Sequence, residues 1–158
     1  MKNLLDIHNF IGSEIKQYSI NEVLAYNQES QKYGLALSPI QAQELVETRN
    51  RAIAGHDRVE LNLEVLKKII AVFSTSSYIH SGNYADTLNE LIDLFYYMKT
   101  ETEDSIGDDD LIAQMKKFFD TSCEGSVELL KNREMTLFAR KQRCKMQIYD
   151  YLAGREQL

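Results

Sequence analysis

A single proline, Pro39, interrupts 158 residues whose apolar side chains recur mainly at three- and four-residue steps. Proline breaks helices, and strand-forming alternation is confined to Val59-Glu60-Leu61, which has no convincing partner strand. The chain is therefore held to helices. Ser38, Pro39 and Gln41 carry the residue types of a capped helix start, with proline at the first helical position and a capping-box partner behind it. Gly55 is expected to close that helix. Ser19 and Glu22 repeat the capping-box pattern ahead of Val23, Leu24 and Tyr26, which predicts another start there.

Further along, Val65, Leu66, Ile69, Ile70 and Phe73 predict a helix over about residues 63–73. Another opens near Asn83 and aligns Tyr84, Leu88, Leu91, Phe95 and Met98. Gly107 ends that region, and Asp108, Asp109 and Asp110 open the next helix, one of them expected to cap it. Gly125 marks a break before a long helix to about Leu152, whose predicted seam is Val127, Leu130, Leu137, Phe138, Cys144, Ile148, Tyr149 and Leu152. The expected architecture is all-α: one compact bundle of six or seven amphipathic helices with a long C-terminal helix.

The length suits one domain, residues 1–158, with a core that removes roughly 70% of the unfolded surface from water. A net charge of −6 opposes broad binding to nucleic acid or anionic membranes. No apolar run reaches membrane-spanning length. The stretch from Leu4 to Ile11 contains Asp6 and His8 and lacks a cleavage pattern, so it does not read as a secretory signal. Cys123 and Cys144 have no Cys-x-x-Cys spacing and fit reduced thiols in the cytoplasm.

Charge is unevenly placed. From Tyr84 to Asp110 nine carboxylates accompany one basic residue, Lys99; from Lys131 to Lys145 six basic residues accompany one acid, Glu134. Such blocks speak to partners rather than to fold. Glu44 and Glu47, with Glu90 and Asp93, have the one-turn spacing of divalent-metal carboxylates, loosely similar to all-helical nucleoside triphosphate pyrophosphatases. Helical phase turns all four away from the apolar stripes, so solvated acidic faces are the favoured reading, with no metal or cofactor assigned. The aspartate run fails the calcium-loop pattern.

His8, His56 and His80 show no ligand spacing and fall near termini or loops. Cys123, just ahead of the long helix, is a weak candidate nucleophile with no base in sight. Arg49 lies on the apolar stripe between Leu45 and Ile53, where it either pairs with a neighbouring carboxylate or anchors an anionic ligand. Tyr97 sits among Asp86, Glu90, Asp93 and Glu101, as a protein-contact residue or packed under a loop. Arg140, Lys141, Arg143 and Lys145 could meet phosphates, but they spread around their helix.

Several short blocks carry a family resemblance: Tyr33-Gly34-Leu35, Leu45-Val46-Glu47 with Arg49-Asn50, Asn83-Tyr84 with Thr87-Leu88, Phe95-Tyr96-Tyr97 with Lys99 and Glu101, and Cys123-x-Gly125-Ser126 with Glu128-Leu129-Leu130. In that order, over about residues 30–135, they resemble a family of short uncharacterised bacterial all-helical proteins, a domain of unknown function. The resemblance implies a bacterial cytoplasmic protein and transfers no catalytic residue. Its blocks include Arg49 and Tyr97. No activity follows from the residues, and a non-enzymatic role is favoured. The leading expectation is protein interaction, within a homo-oligomer or with an unidentified protein partner, through Tyr97, Glu90 and Asp93 on an acidic face and Arg140 and Arg143 on a basic helix. The alternatives are a metal-dependent nucleotide or phosphate-ester hydrolase and, third, a nucleic-acid binder.

Overall fold

The structure, a computed structural model, describes the backbone of residues 4–156 and the side chains of residues 12–155. Every regular element among them is helical: α1 Leu4–Ala25, the short α2 Asn27–Ser30 with a 3-10 turn, Gln31–Tyr33, after it, α3 Pro39–Gly55, α4 Glu64–Phe73, α5 Tyr84–Glu101, α6 Asp108–Asp120, the short α7 Val127–Leu129 and α8 Thr136–Glu156. A π turn, Leu130–Met135, joins α7 to α8, so residues 127–156 form one helical rod.

The start of α3 is dictated locally. Ser38 accepts from the Gln41 amide while the Gln41 side chain accepts from the Ser38 amide, and Pro39 supplies a fixed φ. This helix lies against α5, with α1 on its other flank; α4 packs against both α5 and α6. The α5 stripe (Tyr84, Leu88, Leu91, Phe95, Met98) is wholly buried, as are Val65, Leu66, Ile69, Ile70 and Phe73 of α4. Phe73 and Phe119 meet edge to face at 5.4 Å, locking α4 to α6. Gly125 adopts φ 80° beneath Tyr78, where an added Cβ would lie 2.4 Å from the tyrosine Cβ. Only glycine fits there, and it fixes where the final rod begins.

Some local expectations give way to tertiary structure. Ser19 lies inside an uninterrupted α1, and Glu22 pairs with Lys67 of α4 rather than closing a capping box. Helix α3 does end at Gly55, but the left-handed turn falls on Asp57 at φ 53°. No aspartate caps α6: Gly107 is its N-cap, while Asp108 and Asp109 reach Lys99 and Lys68, each across 2.9 or 2.8 Å.

The largest departure concerns the last helix. In an unbroken α-helix, at about 100° per residue, Leu130, Leu137, Cys144 and Ile148 share one face. The π turn inserts about one extra residue and rotates everything beyond it by about that angle. Leu130 is buried, but Leu137, Cys144, Ile148, Tyr149 and Leu152 are exposed; Met135 and Ala139 face the body instead. Half-buried Gln142, Arg143 and Met146 continue that inner line. The predicted seam is therefore split, its second half turned to solvent.

Candidate functional site

A polar network joins the ends of α3 and α5 to the loops that follow them. Arg49 donates to the Glu60 and Asn62 carbonyls at 2.9 and 2.7 Å and lies 3.9 Å from the Glu60 carboxylate. It thus secures the α3–α4 loop from within the chain; these donors serve that loop instead of an anionic ligand. Tyr96 donates to Glu60 Oε2 at 2.6 Å, and burial followed by that carboxylate pushes its phenol well above the ordinary range. Buried Lys99 donates to the Ile106 carbonyl at 2.7 Å and pairs with Asp108. Arg58 pairs with Asp104 at 2.7 Å, which holds that carboxyl below its usual range, and its Nε is buried without a partner among the described residues. The loops around Asp57 and Asp104 are stitched to the helix ends by this network.

Beside it lies an open cleft of 620 Å³ between the end of α3, the middle of α5 and the start of the final rod. Ala52, Leu94 and Val127 supply apolar lining; Glu90, Asp93 and Glu128 add carboxylates. Tyr97 forms a wall, 43% exposed, with the Lys131 ammonium 5.6 Å from its ring centroid. A cation at that distance is drawn to the ring's negative face. His56 also lines the cleft and bonds through Nδ1 with Thr100 Oγ1 at 2.8 Å. Tyr97, Glu90 and Asp93 therefore do come together. Spacing along the chain does not link His56, Glu128 and Lys131 to these three, because His56 comes from the end of α3 and the other two from the final rod.

Glu44, Glu47, Asp86 and Glu90 line a neighbouring cleft of 440 Å³, from which Asp93 is absent. Glu47 is engaged by Lys16 and Gln43, and these hold its carboxyl below the usual range. Among the described residues no three Asp, Glu, His or Cys side chains are grouped to hold a metal. Glu44, Glu47, Glu90 and Asp93 thus do not all line one cleft.

Cys123 is buried, and burial pushes its thiol pKa up, away from the nucleophilic thiolate. His80 is exposed and accepts from the Gly82 amide; the His8 side chain lies outside the described residues.

On α8 the basic residues divide. Arg143 turns inward and binds Glu101 through both its carbonyl and carboxylate, each at 3.1 Å. With Lys131 over Tyr97, this joins acidic and basic segments within one chain. Arg140, Lys141 and Lys145 are exposed. Flanked by Arg140 and Lys145, and with Lys141 in its midst, runs the outward stripe of Leu137, Cys144, Ile148, Tyr151 and Leu152, with Ile148 59% and Tyr151 63% exposed.

No helix among the described residues is long and apolar enough to cross a membrane. No curated protein and no solved structure matches the chain. The sequence model of a family described as of unknown function (DUF6323) matches residues 22–148, from late α1 to the middle of α8. That match takes in α3, α5, the Tyr97 cleft and the outward stripe as far as Ile148, and the chain belongs to this family of unknown function, DUF6323.

Proposed function

We propose that this protein is a single-domain cytoplasmic interaction module whose principal contact surface is the outward face of α8, with the Tyr97 cleft as a second. The observation that supports this most directly is an amphipathic helix mounted back to front. Its apolar stripe is about 22 Å long from Leu137 to Leu152 at a rise of about 1.5 Å per residue; as far as Met146 it runs opposite the line packed on the body, and beyond Met146 the helix stands clear, exposed on every side. An exposed apolar strip flanked and interrupted by charge has the character of a protein contact. The clefts lend less support to an enzyme, since their carboxylates are dispersed or bonded within the chain.

Cys144 offers a direct test. It stands in the stripe, whereas the other thiol, Cys123, is buried. In dilute purified protein Cys144 is expected to react rapidly with a maleimide; in a concentrated native extract it is expected to be protected. Equal labelling under both conditions would remove the contact reading.

A further inference from the structure

We propose that the outward face of α8 is covered by a second copy of this chain, whose Tyr97 cleft receives it, and that two copies do so reciprocally. This rests on the reading of α8 as a contact surface and names its occupant.

Charge selects that occupant. Helix α8 carries Arg140, Lys141, Arg143, Lys145 and Arg155 against Asp150 and Glu156, a net +3, which leaves −9 on the rest of a chain whose total is −6. Two α8 stripes facing each other would be mismatched. At about 100° per residue Lys141 and Arg155 fall within the apolar stripe itself, so self-pairing would press cations together in the seam. The stripe needs an acidic counterpart with apolar ground between its charges.

The Tyr97 cleft has that make-up. Glu90, Asp93 and Glu128 are exposed and, among the described residues, form no ion pair or hydrogen bond. Leu94 and Val127 provide apolar lining. The Tyr97 ring face is taken by the chain's own Lys131 ammonium, which leaves the carboxylates at the rim, rather than the ring, to meet incoming cations. At 620 Å³ the cleft admits side chains rather than a whole helix. Ile148 and Tyr151 enter it while Lys141 and Lys145 reach the carboxylates at its rim. Because arm and cleft are different surfaces, a one-way contact would propagate into a filament. Reciprocal exchange about a two-fold axis closes it as a dimer.

The test uses the full purified chain in sedimentation velocity at about 50 mM and about 500 mM salt, a range that shortens the screening length several-fold. A dimer is expected at low salt, its dissociation constant weakened at least about tenfold at high salt. Two charge-reversed proteins follow, one with Glu90→Lys and Asp93→Lys, the other with Lys141→Glu and Lys145→Glu. Each alone is expected to be monomeric, and an equimolar mixture to dimerise, since opposite charges again meet at both contacts. Circular dichroism and thermal midpoints establish that both are folded. As an uncharged check, Ile148→Ser with Tyr151→Ser is expected to abolish the dimer.

A dimer that survives cleft reversal but not helix reversal would overturn the proposal, because α8 then contacts another surface. A dimer that survives the serine pair would overturn it too. So would a wild-type monomer whose Cys144 stays open as its own concentration rises. If cell extract still protects Cys144 in that case, α8 remains a contact surface for a different partner. Protection of the monomer by anionic lipid vesicles or duplex DNA would assign the stripe to those surfaces instead.

Discussion

Helices α5 and α8 are close in length, 18 and 21 residues, and both carry an apolar stripe at helical spacing. On α5 that stripe is enclosed by α3 and α4, and Leu88, Leu91 and Phe95 lose all contact with water. On α8 the corresponding stripe faces outward, and its inner side presents Gln142, Arg143 and Met146 to the body. The two differ in what they stabilise. Burying a large aliphatic side chain stabilises a fold by about 1.5–3 kcal/mol, so α5 is a pillar of the core. The α8 stripe makes no such contribution until something covers it. Amphipathicity fixes that a helix has an apolar side; the neighbours decide whether that side serves folding or contact.

Substitutions can break or sharpen this contrast. Leu91→Ala in α5 is expected to destabilise the protein by about 2–5 kcal/mol in urea denaturation; Ile148→Ala in α8 is expected to stay within about 0.5 kcal/mol in dilute protein. A comparable loss at both sites would show α8 to be part of the core. Next in size, Tyr96→Phe removes the bond to Glu60 and should cost about 1–2 kcal/mol.

Its pH signature sharpens the assignment. The Tyr96 phenol is raised above its ordinary 10.0 in the folded state, so its stabilisation is fully present below that pH. Above it the unfolded chain ionises first, and the advantage of wild type over Tyr96→Phe should shrink in alkaline denaturation series. A smaller effect, about 1 kcal/mol, is expected for Ser38→Ala through loss of the α3 cap, read as a thermal midpoint about 2–4 °C lower. Smallest is Arg143→Ala, expected to cost a few tenths of a kcal/mol, since its pair with Glu101 is more than a third exposed.

Much of the helical plan was legible in the residues. The Ser38–Gln41 box, the α4 and α5 stripes and the break at Gly125 are local signals, and local chemistry decides them. The interior of α1 was not, because Ser19 and Glu22 carry the residue types of a cap while a continuous helix and Lys67 make other use of them. At the candidate site, the outward phase of Glu90 and Asp93 followed from spacing alone. Their meeting with His56, Glu128 and Lys131 did not, since it depends on how three helices converge. Arg49 was readable as a cation needing a partner, but the partners are mainly loop carbonyls, which leave no trace in residue type.

The π turn at Leu130–Met135 is a one-residue difference in count with a consequence for the whole outline of the molecule. Deleting a single residue there would wind the rod back by about 100° and swing Leu137, Cys144 and Ile148 toward the line of Leu130. Leu137 and Cys144 would then turn toward the core, and the half-buried Gln142, Arg143 and Met146 would turn away from it. One surplus peptide unit thus works as a swivel, setting which face of a rigid arm meets solvent while leaving the arm's own sequence, length and charge untouched.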